Sequence, residues 1–236
     1  MQSTKPTILC TGPVNESLLR LPAYNDVDID VIPFTAITTN LTESVQQQIK
    51  ETLKQTAVVV FTSSNAIKAV ASYLEEQQPD WTIFCIGITT YELAKEYFGA
   101  DKLRQTAENA TLLADKVIAN IATKEVTFFC GNLRRNELPD TLILNGIRVK
   151  EIVVYNTSLV PVGIEKKYDA VLFFSPSAAE SFFTNNKLSG ETTLFVMGNT
   201  TAAAIKKYAD NKIIIGDEPS RNNLVNKAIR FVLENS

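Results

Sequence analysis

The chain has 236 residues, 45% of them hydrophobic, which suits one large or two ordinary domains. Its 23 basic and 26 acidic residues leave a net charge of −3 with no Lys/Arg run, so nothing marks a nucleic-acid stripe, and no apolar run approaches the roughly 20 residues of a membrane span. Histidine is absent, which excludes a Ser-His-Asp triad, a Cys-His pair and any His-ligated metal site.

The predicted elements alternate regularly. Thr7 to Thr11 reads as a strand, Glu16 to Leu21 as a short helix and Val27 to Phe34 as a strand. Glu43 to Lys54 is helical, with Val45, Ile49 and Leu53 at four-residue spacing. Strand 57–61, helix 65–76, strand 82–86, helix 89–98, strand 101–105 and helix 109–122 follow. A second series runs strand 125–130, helix 135–145, strands 147–155 and 169–174, helix 177–186, strand 193–197, helix 200–209, strand 212–215 and helix 221–234. Apolar strands alternating with helices predict parallel sheets covered on both faces.

The series contains a repeat. Phe61-Thr62-Ser63-Ser64-Asn65-Ala66 is echoed by Phe173-Phe174-Ser175-Pro176-Ser177-Ala178, an offset of 112 (61 to 173). Ile86-Gly87-Ile88-Thr89-Thr90 is echoed by Met197-Gly198-Asn199-Thr200-Thr201, an offset of 111 (87 to 198). Residues 111–117 match 223–228 in apolar spacing, and the unit at 8–33 resembles 128–154 at an offset of 120. A repeat this long is a duplicated domain rather than a solenoid, whose periods reach roughly 50 residues. Residues 1–33 then pack with 162–236, and 40–152 forms a continuous inserted domain. The chain crosses between the domains at 34–39 and 153–161, both rich in β-branched residues and suited to pairing as a two-stranded hinge. The fold class is α/β: two similar Rossmann- or flavodoxin-like parallel-sheet domains joined by that hinge, with a cleft between them as the expected ligand site.

The repeated loops carry the chemistry. A helix start offers unpaired N–H groups and the positive dipole end, equivalent to about half a charge. Ser63, Ser64, Ser175 and Ser177 fall at strand-to-helix turns, and Thr89, Thr90, Thr200 and Thr201 open helices after Gly87 and Gly198. Singly, a Ser or Thr before a helix is an N-cap worth about 1 kcal/mol. The register-matched quartet favours anion loops, and four of them facing one cleft suit a polyanion. Cys10, Cys85 and Cys130 each sit in an apolar run without CxxC spacing and read as buried, reduced core residues. The start Met-Gln-Ser-Thr-Lys-Pro lacks the basic and apolar regions of a signal peptide, so the expected location is the cytoplasm.

These segments, with Gly131 through Arg135 to Leu138 leading into Val154-Tyr155-Asn156-Thr157, resemble the uroporphyrinogen-III synthase family in order and spacing over nearly the whole chain. The resemblance implies two α/β domains on a two-stranded ladder. It also implies cyclisation of hydroxymethylbilane to uroporphyrinogen III, with loss of water and inversion of the terminal ring. The substrate carries eight carboxylates, and no cofactor or metal is implied. Tyr155 matches the tyrosine where the chain crosses back between domains and is the candidate general acid. Thr90 and Thr201 match helix-opening threonines, Ser63, Ser64, Ser175 and Ser177 match serine loops, and Asn199 and Thr200 belong to the second threonine loop. Arg135 matches an arginine at the start of the helix after Gly131. The family usually carries Thr-Arg-Pro after the first strand; here it is Thr11-Gly12-Pro13, so Thr11 offers a hydroxyl and the arginine is absent. A proline common in the first serine loop is replaced in Ser63-Ser64-Asn65. The expected partner is a small-molecule substrate, with no nucleic acid and no membrane, and the expected state is a monomer. A non-catalytic two-domain binding protein for a small polyanion is the alternative. A nucleotide- or sugar-handling transferase fits less well, since the chain has neither GxGxxG nor GxxxxGK[ST].

Overall fold

The computed structural model describes residues 5–15, 25–74, 78–218 and 220–235. The predicted helix at 16–21 lies outside these residues. The strands are β1 (Thr7–Cys10), β2 (Asp28–Val31), β3 (Thr35–Thr39), β4 (Ala57–Phe61), β5 (Trp81–Ile86), β6 (Leu103–Ala107), β7 (Glu125–Gly131), β8 (Arg148–Leu159), β9 (Ala170–Phe173), β10 (Thr193–Val196) and β11 (Ile213–Ile215). The helices are α1 (Glu43–Leu53), α2 (Ser64–Ala71), α3 (Ile88–Phe98), α4 (Ala110–Asn120), α5 (Glu137–Leu144), α6 (Pro176–Asn185), α7 (Asn199–Ile205) and α8 (Arg221–Glu234).

Two compact units result, Met1–Ala36 with Ser158–Ser236 and Ile37–Thr157. In the discontinuous unit the sheet order is β11-β10-β9-β1-β2; in the continuous unit it is β3-β8-β7-β4-β5-β6. Read from the same end, β6-β5-β4-β7-β8 repeats β11-β10-β9-β1-β2 strand for strand. Every pairing within these two five-strand sets is parallel. The sequence offsets anticipate this equivalence, with 8–33 standing to the first unit as 128–154 stands to the second.

Alternation along each strand sends residues to opposite, equally buried faces. In the continuous unit Val59, Phe61, Ile83, Cys85 and Phe129 point into one core, and Val60, Phe84, Phe128 and Cys130 into the other. The first core is aromatic, with the Phe61 ring stacked 5.7 Å from Phe98 and 5.5 Å from Phe129. In the discontinuous unit Leu9, Val171, Phe173, Leu194 and Val196 face one side, and Ile8, Cys10, Ala170, Leu172 and Phe195 the other. None of these four clusters takes residues from both units.

Several boundaries differ from the sequence expectation for local reasons. Strand 27–34 is shorter as β2, because Pro33 lacks a donor and Phe34 turns fully into the core, 5.1 Å edge-on to Phe182. The strand expected at 101–105 starts at Leu103, since Gly99 at φ +88° initiates a short 3₁₀ turn over Ala100–Lys102. The helix expected to 209 ends at Ile205, where bonding tightens to Tyr208 N–H donating to Ile205 O at 2.8 Å. The helix expected at 65–76 ends at Ala71. The two β-branched stretches do pair: β3 and β8 are neighbours, flanked by bonds from Asn40 N–H to Val154 O and from Val160 N–H to Phe34 O. The partners run in opposite order along the chain, so this pairing is antiparallel.

Candidate active site

In a doubly wound sheet, the loops at the carboxyl ends of the two strands where the order reverses diverge and leave room for a ligand. That point lies between β4 and β7 in the continuous unit and between β9 and β1 in the discontinuous one. Ser63, Ser64 and Arg135 follow β4 and β7, and Thr11, Ser175 and Ser177 follow β1 and β9, whereas Thr90 and Asn199, Thr200 and Thr201 follow the neighbouring strands β5 and β10, and Tyr155 lies on β8.

In the continuous unit Ser63, with extended backbone, caps α2 by accepting from Asn65 N–H at 3.2 Å. Its hydroxyl keeps a proton to donate. Ser64 and Thr89 line an open cavity of about 640 Å³ together with Lys68 and Glu92. Gly87 opens α3 at φ +78°, a conformation that disfavours any side chain, and gives no side-chain cap. The first-turn amides of α3 are therefore left without a capping side chain. Thr89 is exposed, whereas Thr90 is buried.

The β7 edge is built around Tyr155. A Cβ on Gly131 would lie 2.4 Å from Tyr155 Cζ and 2.7 Å from its hydroxyl, so the ring occupies the space that a side chain at 131 would fill. The half-buried ring also packs on the core that contains Phe61 and Phe129. Its hydroxyl makes no hydrogen bond with the described residues. The β7–β8 register shifts at Cys130/Gly131, and Asn132 repairs the ladder beyond it. Asn132 N–H donates to Tyr155 O at 3.2 Å, its side-chain amide donates to Thr157 O at 3.2 Å, and its Oδ1 accepts from Thr157 N–H at 2.7 Å.

Arg135 is exposed and precedes α5 instead of opening it. The cause is its neighbour: Arg134 pairs with Glu151 and also donates to Asn136 Oδ1, which takes the oxygen that would have capped the helix.

In the discontinuous unit Ser175 caps α6 by accepting from Ala178 N–H at 3.1 Å, and its Oγ lies 3.0 Å from Ser177 Oγ. One hydroxyl of this pair donates to the other, so one proton remains for a ligand. Gly198 precedes α7 in extended conformation, unlike Gly87, so the turn itself does not demand glycine there. Asn199 and Thr200 are exposed and Thr201 is buried, repeating the Thr89/Thr90 pattern. Thr11 is 1% exposed and donates its hydroxyl to Leu172 O at 2.8 Å, locking β1 to β9.

Burial pushes the thiols of Cys10, Cys85 and Cys130 up to about 12, so none is a nucleophile near neutral pH. Among the described residues no group of three potential metal ligands converges. No helix of the described residues is long and apolar enough to cross a membrane.

Sequence reasoning did not single out Asn132, the exposed apolar pair Ile88 and Leu133, or Arg221. The first three lie inside or beside quoted motifs, where a site-edge position was readable. Arg221 lies in no motif, and the path of α8 alone brings it to the β1 edge.

The chain is similar to known proteins. The family profile described as Uroporphyrinogen-III synthase HemD matches residues 24–226. A uroporphyrinogen-III synthase of Chlorobaculum parvum is 26% identical over 203 residues, covering 75% of this chain and 82% of that protein. One from Saccharomyces cerevisiae is 24% identical over 215 residues, covering 80% and 74%. Among solved structures, a mutant uroporphyrinogen III synthase of Thermus thermophilus superposes with TM-score 0.70 at 14% identity, over 98% of this chain and 100% of that one. The uroporphyrinogen-III synthetase of Helicobacter pylori gives 0.65 at 17% identity, over 96% and 99%. These structures share the two-domain α/β fold, and the profile match spans most of the sequence. The chain belongs to the uroporphyrinogen-III synthase family, enzymes of tetrapyrrole biosynthesis.

Proposed function

We propose that this protein is a lyase that closes hydroxymethylbilane to uroporphyrinogen III, inverting the terminal ring and releasing water. The observation that carries this reading is the family profile match over residues 24–226. The substrate's eight carboxylates need many anion contacts, and each unit carries its own set of candidate groups. Ser63, Ser64, Ser175, Ser177, Asn199, Thr200 and Arg135 stand at helix starts or loop tips and take carboxylates through hydroxyls, amides and charge. Thr11, Thr90 and Thr201 act from behind, ordering those loops. Ile88 and Leu133 offer exposed apolar surface to the pyrrole faces.

The chemistry asks little of side chains. The terminal pyrrole nitrogen pushes out the hydroxymethyl oxygen, which leaves as water once protonated, giving an azafulvene. The last ring then attacks through its substituted carbon to form a spiro intermediate. That intermediate fragments and recloses with the ring inverted, and loss of a ring proton restores the aromatic pyrrole. The proton given to the leaving oxygen is balanced by the one released. Without guidance the chain closes directly to isomer I, so positioning dominates. Tyr155 is the proton donor: its ring is fixed against Gly131 and its hydroxyl spends no bond on the described residues. Three unpaired, buried cysteines fit a reducing cytoplasm. One chain carries both sets of loops, which fits action as a monomer.

The test is to supply freshly made hydroxymethylbilane with and without the protein and separate the oxidised products. A shift from isomer I to isomer III is expected. Isomer I alone, from folded protein, would overturn the reading and favour a polyanion-binding protein.

A further inference from the structure

Arg221 occupies the first position of α8, capped by Ser220, whose hydroxyl accepts from Asn223 N–H at 3.3 Å. A cation at that end opposes the helix dipole, so helix stability does not explain the residue. Its guanidinium instead reaches across to the β1 edge. One nitrogen donates to Pro13 O at 2.6 Å, and the guanidinium carbon lies 4.9 Å over the Phe174 ring, immediately before Ser175. These two contacts hold it at the point where the sheet order reverses.

The group is under-used there. A guanidinium has five N–H donors, and among the described residues only Pro13 accepts from this one. No carboxylate of the described residues pairs with it: Glu218 binds Asn223 and Asp217 binds Lys227. Gly12 borders the guanidinium. A Cβ at position 12 would lie 3.3 Å from Phe174 Cδ2 and 3.9 Å from Arg221 Nη1. Gly12 is not among the glycines with positive φ, so backbone conformation does not require glycine there. A side chain at 12 would press on the Phe174 ring and meet the Arg221 head at ordinary contact distance.

We infer that Arg221 binds a substrate carboxylate at the Ser175 edge of the discontinuous unit, standing in from α8 for the arginine whose place Gly12 takes. The inference rests on the proposed synthase reaction, because that substrate brings the carboxylates. Arg221 binds and orients; it moves no proton.

Steady-state kinetics on hydroxymethylbilane, with product isomers resolved, test it in Arg221→Gln, Arg221→Lys and the double variant Gly12→Arg with Arg221→Gln. Loss of one charge-assisted hydrogen bond raises KM roughly tenfold in Arg221→Gln. The turnover number stays within about twofold, since binding and not the chemical step is affected. Arg221→Lys keeps the charge without the fork and falls between. The double variant returns KM toward wild type, because an arginine at 12 then enters the vacated space. An unchanged KM in Arg221→Gln overturns the inference. So does a raised KM that tracks a lowered melting temperature and is rescued by neither other variant, which assigns Arg221 to holding the Pro13 loop. Failure of the synthase reading looks different: wild-type protein itself then yields only isomer I.

Discussion

Gly131 and Tyr155 form one device in two residues. The ring lies where a side chain at 131 would be, so the glycine sets where the hydroxyl points. Tyr155→Phe is expected to lower turnover by roughly 10²-fold, the scale of lost general-acid help, with an unchanged melting temperature. Gly131→Ala forces the ring aside at a cost of about 1–3 kcal/mol and should lower turnover comparably. If the two act as a unit, the double variant is no slower than the slower single one; additive losses in the kinetics would separate them. Tyr155 was legible in the sequence by its match to a family tyrosine at the crossing between domains, and it lies inside β8, which continues to Leu159. Its coupling to Gly131 was not, because nothing in either residue type announces a pair brought together by a parallel register. Thr90 and Thr201 show the opposite limit. Their place at helix starts was legible, but which threonine of each pair turns inward depends on helix phase against the sheet, and the buried member is the second in both units.

Among the elements, the end of β7 is the most informative. Beyond the register shift Asn132 uses its side chain as a substitute peptide, giving and accepting at Thr157 where the backbone ladder has lapsed. Asn132→Ala removes both bonds at a partly solvated site, so it should cost about 1 kcal/mol and lower the melting temperature by roughly 2–4 °C. Thermal unfolding followed by circular dichroism checks this; an unchanged midpoint would mean water replaces the amide without loss. Among the described residues strand and helix identities were readable because apolar period and turn residues agree. The boundaries were not, where a side chain captured a capping group, as Arg134 does to Asn136, or where Pro33 ended a ladder early.

At the scale of the molecule, each unit closes its own sheet and its own two cores. A fragment spanning 37–157 should therefore fold cooperatively alone, with a single thermal transition and dispersed NMR amide signals; a molten, transition-free fragment would sink that expectation. The duplication behind this autonomy was readable from motif offsets, since two motifs in one register outweigh the weakness of each. Sheet order was not readable, because no strand's composition names its neighbours; the repeat says only that the two units should share one order. The thread of the discontinuous unit sets a timing for synthesis. Thr7 N–H bonds Asp169, 162 positions away, and β1 is flanked by β2 and β9. At translation rates of about 5–20 residues per second, β1 emerges from the ribosome roughly 8–30 s before its central neighbour exists. Throughout that interval Ile8, Leu9 and Cys10 have no finished sheet to enter, while the continuous unit can complete itself in the meantime. Completion of the discontinuous unit therefore waits on β9, and until it arrives β1 can have only β2 of its two sheet neighbours.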